Sequence, residues 1–143
     1  MTSGRRLLTG LLIFGFVSAA GGGVLGVAFN GAGVPLTYLT GTPFSSYIIP
    51  GLILGVVIGG TQAAAAAALI GHHPQRMAAA SIAGFGMMIW IFVELAVITE
   101  YSFLQAIYFA LGIAELALVL VLAGVLAPLA RQNRRPVPEG GHR

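Results

Sequence analysis

Apolar residues run in long blocks along this chain, and the few polar interruptions divide it into four. Leu7–Phe29 carries no charged residue, and a membrane-crossing helix needs about 20 apolar residues. A second block covers about 48–70. Met77–Leu129 is apolar again but too long for one crossing. Its natural break is Thr99-Glu100-Tyr101-Ser102, where Ser102 and Gln105 make an S-x-x-Q capping box. In such a box each side chain satisfies a backbone N–H that the first helical turn leaves unpaired. The pattern predicts an all-α polytopic membrane protein, a four-helix transmembrane bundle. The spans fall at about 7–29, 48–70, 77–99 and 102–129, forming one domain over 1–129. A disordered tail is expected over 130–143, where Arg and Pro replace the apolar run.

The boundaries carry their own chemistry. Arg5-Arg6, an apolar run and Val17-Ser18-Ala19 also fit a cleaved signal peptide. The apolar sequence continues to Phe29, so this block is read as the first span; the charge pattern alone does not settle whether it is cleaved. The connector Asn30–Tyr47 carries turn residues, Pro35, Pro43 and aromatics suited to a membrane interface. The second span starts either at Thr42-Pro43, with Pro50 kinking the helix, or near Ser46, with Pro50 in the first turn. Gly51, Gly55 and Gly59 follow at four-residue spacing. They place small residues on one helix face, as a glycine zipper does, and let a neighbouring backbone approach closely. Gly71 followed by Pro74 marks the stop.

Composition narrows the picture. The 143 residues are 57% hydrophobic and only 8% charged, with mean hydropathy +0.94. A soluble domain carries roughly 25% charged residues, so this chain cannot coat a surface facing water. It has no cysteine, which removes disulfides, thiolate metal sites and cysteine nucleophiles. The basic residues are all Arg, and Ala and Gly are abundant, a usage that points to a GC-rich bacterial source. Arg5 and Arg6, then Arg76, then Arg131, Arg134 and Arg135 fall on alternate connections. By the positive-inside rule both termini and the 71–76 turn lie in the cytoplasm, in a bacterial inner membrane. The net charge of +3 is therefore an orientation signal, and no nucleic-acid partner is expected.

Little in the chain carries chemistry. His72 and His73 are adjacent and diverge, with no carboxylate nearby, so no metal site is expected. No nucleotide-binding loop or nucleophile elbow is present, and neither a catalytic residue nor a cofactor is assigned. The intramembrane acids remain. A charge at the bilayer centre costs about 2.5–3.5 kcal/mol on insertion scales. Glu115, near the middle of its span, should therefore face the bundle interior. Glu94 lies closer to the outer end. Met87, Trp90 and Glu94 share one helix face, and Tyr108, Gly112 and Glu115 another. Folding the hairpin at 100–101 places Tyr108 within reach of Glu94 and sets Glu115 against Phe85–Gly86. Trp90, Glu94, Tyr108 and Glu115 are the candidate polar pocket; Gly51, Gly55 and Gly59 are the candidate packing face.

The run Gly41-Thr42-Pro43-Phe44-Ser45-Ser46-Tyr47-Ile48-Ile49-Pro50-Gly51-Leu52-Ile53-Leu54-Gly55, with Ile89-Trp90-Ile91 and Ser102-Phe103-Leu104-Gln105, resembles small uncharacterised four-span bacterial membrane proteins. At the level of architecture it is similar to DoxX-type proteins. The resemblance implies four helices and carries no activity. Three functions stay open: an accessory or self-assembling bundle, a small carrier or proton-coupled transporter using Glu94 and Glu115, and an enzyme acting on a lipid-soluble substrate. Their partners would be the lipid bilayer with a second copy or a membrane partner protein, or a lipid-soluble small molecule.

Overall fold

The computed structural model describes residues 2–98 and 100–125. Among these, four helices are long and apolar enough to cross a membrane: α1 (Ser3–Phe29), α2 (Ile48–Ile70), α3 (Arg76–Val97) and α4 (Phe103–Leu122). The chain is an all-helical, multi-pass membrane protein folded as a four-helix bundle. Residues 126–129, assigned to the end of the fourth span from sequence, and the tail 130–143 lie outside the described residues.

The helices run up and down, and each packs on its neighbours in sequence. Contacts between α1 and α4 close the ring: Gly4 meets Leu122, and the Phe14 and Tyr108 rings stack 6.4 Å apart. Large apolar side chains such as Phe16, Val24, Val56, Ile82, Phe92 and Ile107 point outward, as a bundle solvated by lipid requires.

One end of the bundle is basic. Arg5 on α1 donates to the Leu69 carbonyl at the end of α2, where a helix presents unpaired carbonyls and partial negative charge. The stop of α2 is a Schellman turn, with His73 N–H on the Ala68 carbonyl and His72 N–H on that of Leu69. The left-handed residue in it is His72, at φ +57°, not Gly71. Arg76 then donates to the carbonyls of His72 and His73.

The opposite, loop end is organised by Asn30 and Tyr47. Asn30 ends α1 in the left-handed region, and its Oδ1 accepts from the Tyr47 N–H at 2.9 Å. The Tyr47 hydroxyl donates to the Pro35 carbonyl, so its buried ring pins the connector. A side chain at Gly31 would strike this ring. Thr42 is tied into a local turn with Phe44, and α2 begins at Ile48. Pro50 therefore sits in the first turn, where its missing N–H costs nothing.

Near the loop end α1 and α2 are in backbone contact. A Cβ on Gly23 would lie 2.6 Å from Gly55 Cα, and one on Gly26 would lie 2.8 Å from Gly51 Cα. Gly59 is looser, with its added Cβ at 3.6 Å from the Ala19 Cβ. Between Ile53 and Ile58 α2 widens into a π-helical turn.

Candidate functional site

The bundle interior is layered. Towards the basic end Leu12, Ala65, Ala66, Ala83 and Val119 form one apolar layer with their neighbours. Towards the loop end Ala19, Ile58, Met87 and Leu111 form another, with Trp90 and Tyr108 packed against it. The step from one layer to the other is about two turns on α1, α2 and α4 and about one on α3. In the gap between them stand Gly15 of α1, Gln62 of α2 and Glu115 of α4.

Gln62 and Glu115 are each 0% exposed. The Gln62 carboxamide nitrogen donates to Glu115 Oε2 at 3.1 Å and to the Ala83 carbonyl of α3 at 3.4 Å. One side chain thus links three helices. The fourth, α1, closes over it with bare backbone: a Cβ on Gly15 would lie 2.8 Å from both Cδ and Oε1 of Gln62. Gly15 is what lets the carboxamide lie flat at the helix interface.

Glu115 therefore faces inward, and its partner is Gln62, not the Phe85–Gly86 stretch. The α3–α4 contact at this depth is instead the close approach of Gly84 to Leu116 and Gly112. Neither Gln62 nor Gly15 carries a motif in the sequence. A signal exists: Gly55, Gly59 and Gln62 sit at i, i+4 and i+7. A lone carboxamide on the face that packs closest points inward.

Glu94 sits in a different setting. It is half-buried near the loop end, and Gln105 Nε2 donates to its Oε1 at 3.4 Å. Gln105 also closes the capping box read from sequence: its Oε1 accepts from the Ser102 N–H at 3.0 Å, while Ser102 Oγ accepts from the Leu104 N–H. The Glu94 carboxyl is thereby attached to the start of α4. Tyr108, expected to reach it, stacks on Phe14. Trp90 lies one turn from Glu94 on α3, partly buried on the apolar layer. The four candidate pocket residues therefore do not converge on one cavity. Glu115 is held a layer deeper than Glu94, with Trp90 and Tyr108 in the layer between.

A cleft of about 200 Å³ opens beside the Glu94 end, lined by Ile91, Phe92, Leu95, Tyr101, Gln105, Ala106 and Phe109. Phe92 and Phe109 meet edge to face across it. Its lining is almost wholly apolar, suited to a hydrocarbon group. Among the described residues no three His, Asp or Glu side chains gather as a metal site would need.

No protein-family model, curated protein or solved structure matches the chain.

Proposed function

We propose that this chain is an accessory or self-assembling bundle of a bacterial cytoplasmic membrane, with both termini on the cytoplasmic side. The observation that carries this reading is the sealed centre. The mid-span acid is fully buried, bonded to Gln62 and covered by the Gly15 backbone. A carrier needs its acid reachable from each side in turn; this one is used to join helices. Orientation is supported by Arg5, Arg6 and Arg76 lying at one end of the bundle, with no Arg or Lys in either loop at the other.

Native mass spectrometry of the protein released from membranes tests the assignment. The expected species is an oligomer, or a complex with another membrane protein. A monomer carrying a stoichiometric lipid-soluble molecule would overturn it. For orientation, single cysteines at Thr40 and Gln75 are expected to label from opposite sides of the membrane, Gln75 only from the cytoplasm.

The second reading is a carrier or enzyme for a lipid-soluble substrate. It is favoured by one observation, the half-buried Glu94 bonded to a residue that lines the apolar cleft. Loss of a bound molecule in Glu94→Gln, with the fold intact, would select it.

A further inference from the structure

Two buried side-chain oxygens at the bundle centre have no hydrogen-bond partner among the described residues: Gln62 Oε1 and Glu115 Oε1. They belong to side chains already bonded to each other through Gln62 Nε2 and Glu115 Oε2. Both Gln62 N–H groups are used, one on Glu115 and one on the Ala83 carbonyl. The Ala83 contact also fixes which way the carboxamide faces, because a carboxamide oxygen cannot accept from a carbonyl. With an ionised Glu115, the pair would leave two acceptors and no donor in a space that a Cβ on Gly15 would fill. Unpaired polar atoms in such a setting cost the full desolvation of each group.

We infer that the centre of the bundle is a proton-binding site, in which Glu115 carries a proton on Oε1 and donates it to Gln62 Oε1. The acid and the carboxamide then form a closed two-bond ring, N–H to carboxyl oxygen and O–H to amide oxygen. One proton satisfies both orphaned atoms, and every polar group of the pair has a partner.

Among the described residues nothing charged stands close enough to replace the proton. On α1 the described charges are Arg5 and Arg6, and Arg5 is ten residues from Gly15, about 15 Å along the helix. The described part of α2 has no charged residue, and His72 and His73 are exposed beyond its end. On α3 Arg76 lies seven residues from Ala83, about 10 Å, and Glu94 eleven residues from it, about 16 Å. On α4 Glu115 is the one charged side chain.

The ring makes the three-helix joint depend on proton occupancy. Loss of the proton sets two acceptors and a charge together in the apolar interior, and α2 and α4 are pushed apart. The joint is intact while Glu115 holds its proton and weakens as pH rises through the loss of it. This goes beyond the accessory role and holds whether the chain acts alone or in an assembly.

The full chain with Glu94, Glu100 and Glu139 all changed to Gln tests it, because Glu115 is then the one side-chain carboxyl. Infrared spectra of this chain, labelled with carbon-13 glutamate and reconstituted in lipid nanodiscs, are expected to show a protonated carboxyl stretch at pH 7. A carboxylate stretch at that pH overturns the proposal. Gln62→Met in the same background keeps side-chain length and removes the carboxamide. The protonated band should then move to higher frequency, and a band that stays in place overturns the ring. Raising the pH should lower the Tm of the single-carboxyl chain more than that of the same chain carrying Glu115→Gln. Parallel pH curves would overturn the dependence on proton occupancy.

Discussion

Glu94 and Glu115 are the same residue in two settings, and each is met by a glutamine. Glu115 is bonded across the bundle to Gln62 of a helix that is not its hairpin partner, and all four helices touch the pair. Glu94 is bonded within the hairpin to Gln105, which also caps its own helix. The first contact has bare backbone packed over it; the second borders a cleft. The difference is one of enclosure. A buried acid with a fixed partner holds helices together, whereas a half-exposed acid tied to a helix cap retains access to water and to ligands.

The sharpest way to break this comparison is to fill the sealed side. Gly15→Leu brings a branched side chain onto a site where even a Cβ lies 2.8 Å from Gln62. We expect loss of the folded bundle, read as aggregation or loss of the monodisperse peak in detergent. Gly10→Leu on the same helix meets nothing within 4 Å and should behave as wild type. If both variants fold equally well, the centre is not sealed.

Removing the acids gives the next effect. Glu115→Leu strands the Gln62 carboxamide, and an unpaired buried polar group costs about 1–3 kcal/mol. Glu94→Leu leaves Gln105 bonded to the Ser102 N–H, near water, and should cost under about 1 kcal/mol, within the range of interhelical hydrogen bonds measured in membranes. Thermal unfolding in one detergent ranks the two; equal losses would remove the distinction between the sites.

How far this was legible in the sequence differs between the two sites for a physical reason. Span positions follow from local apolar length, and the Ser102–Gln105 box from local helix-end chemistry, so the Glu94 end could be read nearly to its partner. The register of the hairpin was close, but Gln105 bends back to its own cap and meets Glu94 before Tyr108 does. That Glu115 turns inward follows from the cost of exposing it to lipid. Its partner does not follow, because Gln62 lies fifty-three residues earlier in the chain, on a helix reached through the Asn30–Tyr47 connector. Depth is a one-dimensional property and can be counted along a span. The facing of non-consecutive helices depends on how each crosses its neighbours, as α2 does α1 in backbone contact at Gly23, Gly26, Gly51 and Gly55.

A smaller effect separates cap from contact at the open end. Gln105→Ala removes the bond to Glu94 and half of the capping box, for which about 1 kcal/mol is expected. Amide hydrogen exchange should rise at Ser102–Leu104, leaving the Gln62 layer protected. Faster exchange throughout α4 would mean that the two sites are coupled and that the open end supports the closed one.

The smallest change is Glu94→Gln. A carboxamide keeps the shape and still offers an acceptor to Gln105 Nε2, so the fold and Tm should match wild type to within about 0.5 kcal/mol, as for a substitution that leaves burial and contacts unchanged. Its value lies in what else it moves. A structural Glu94 predicts no further change, in subunit number or in any co-purified molecule. An acid that serves a ligand in the cleft predicts loss of that molecule with the same Tm. Because stability is expected to stay level in both cases, the bound species alone decides between them. A lowered Tm would contradict both, and would show that Glu94 is as deeply committed to the fold as Glu115.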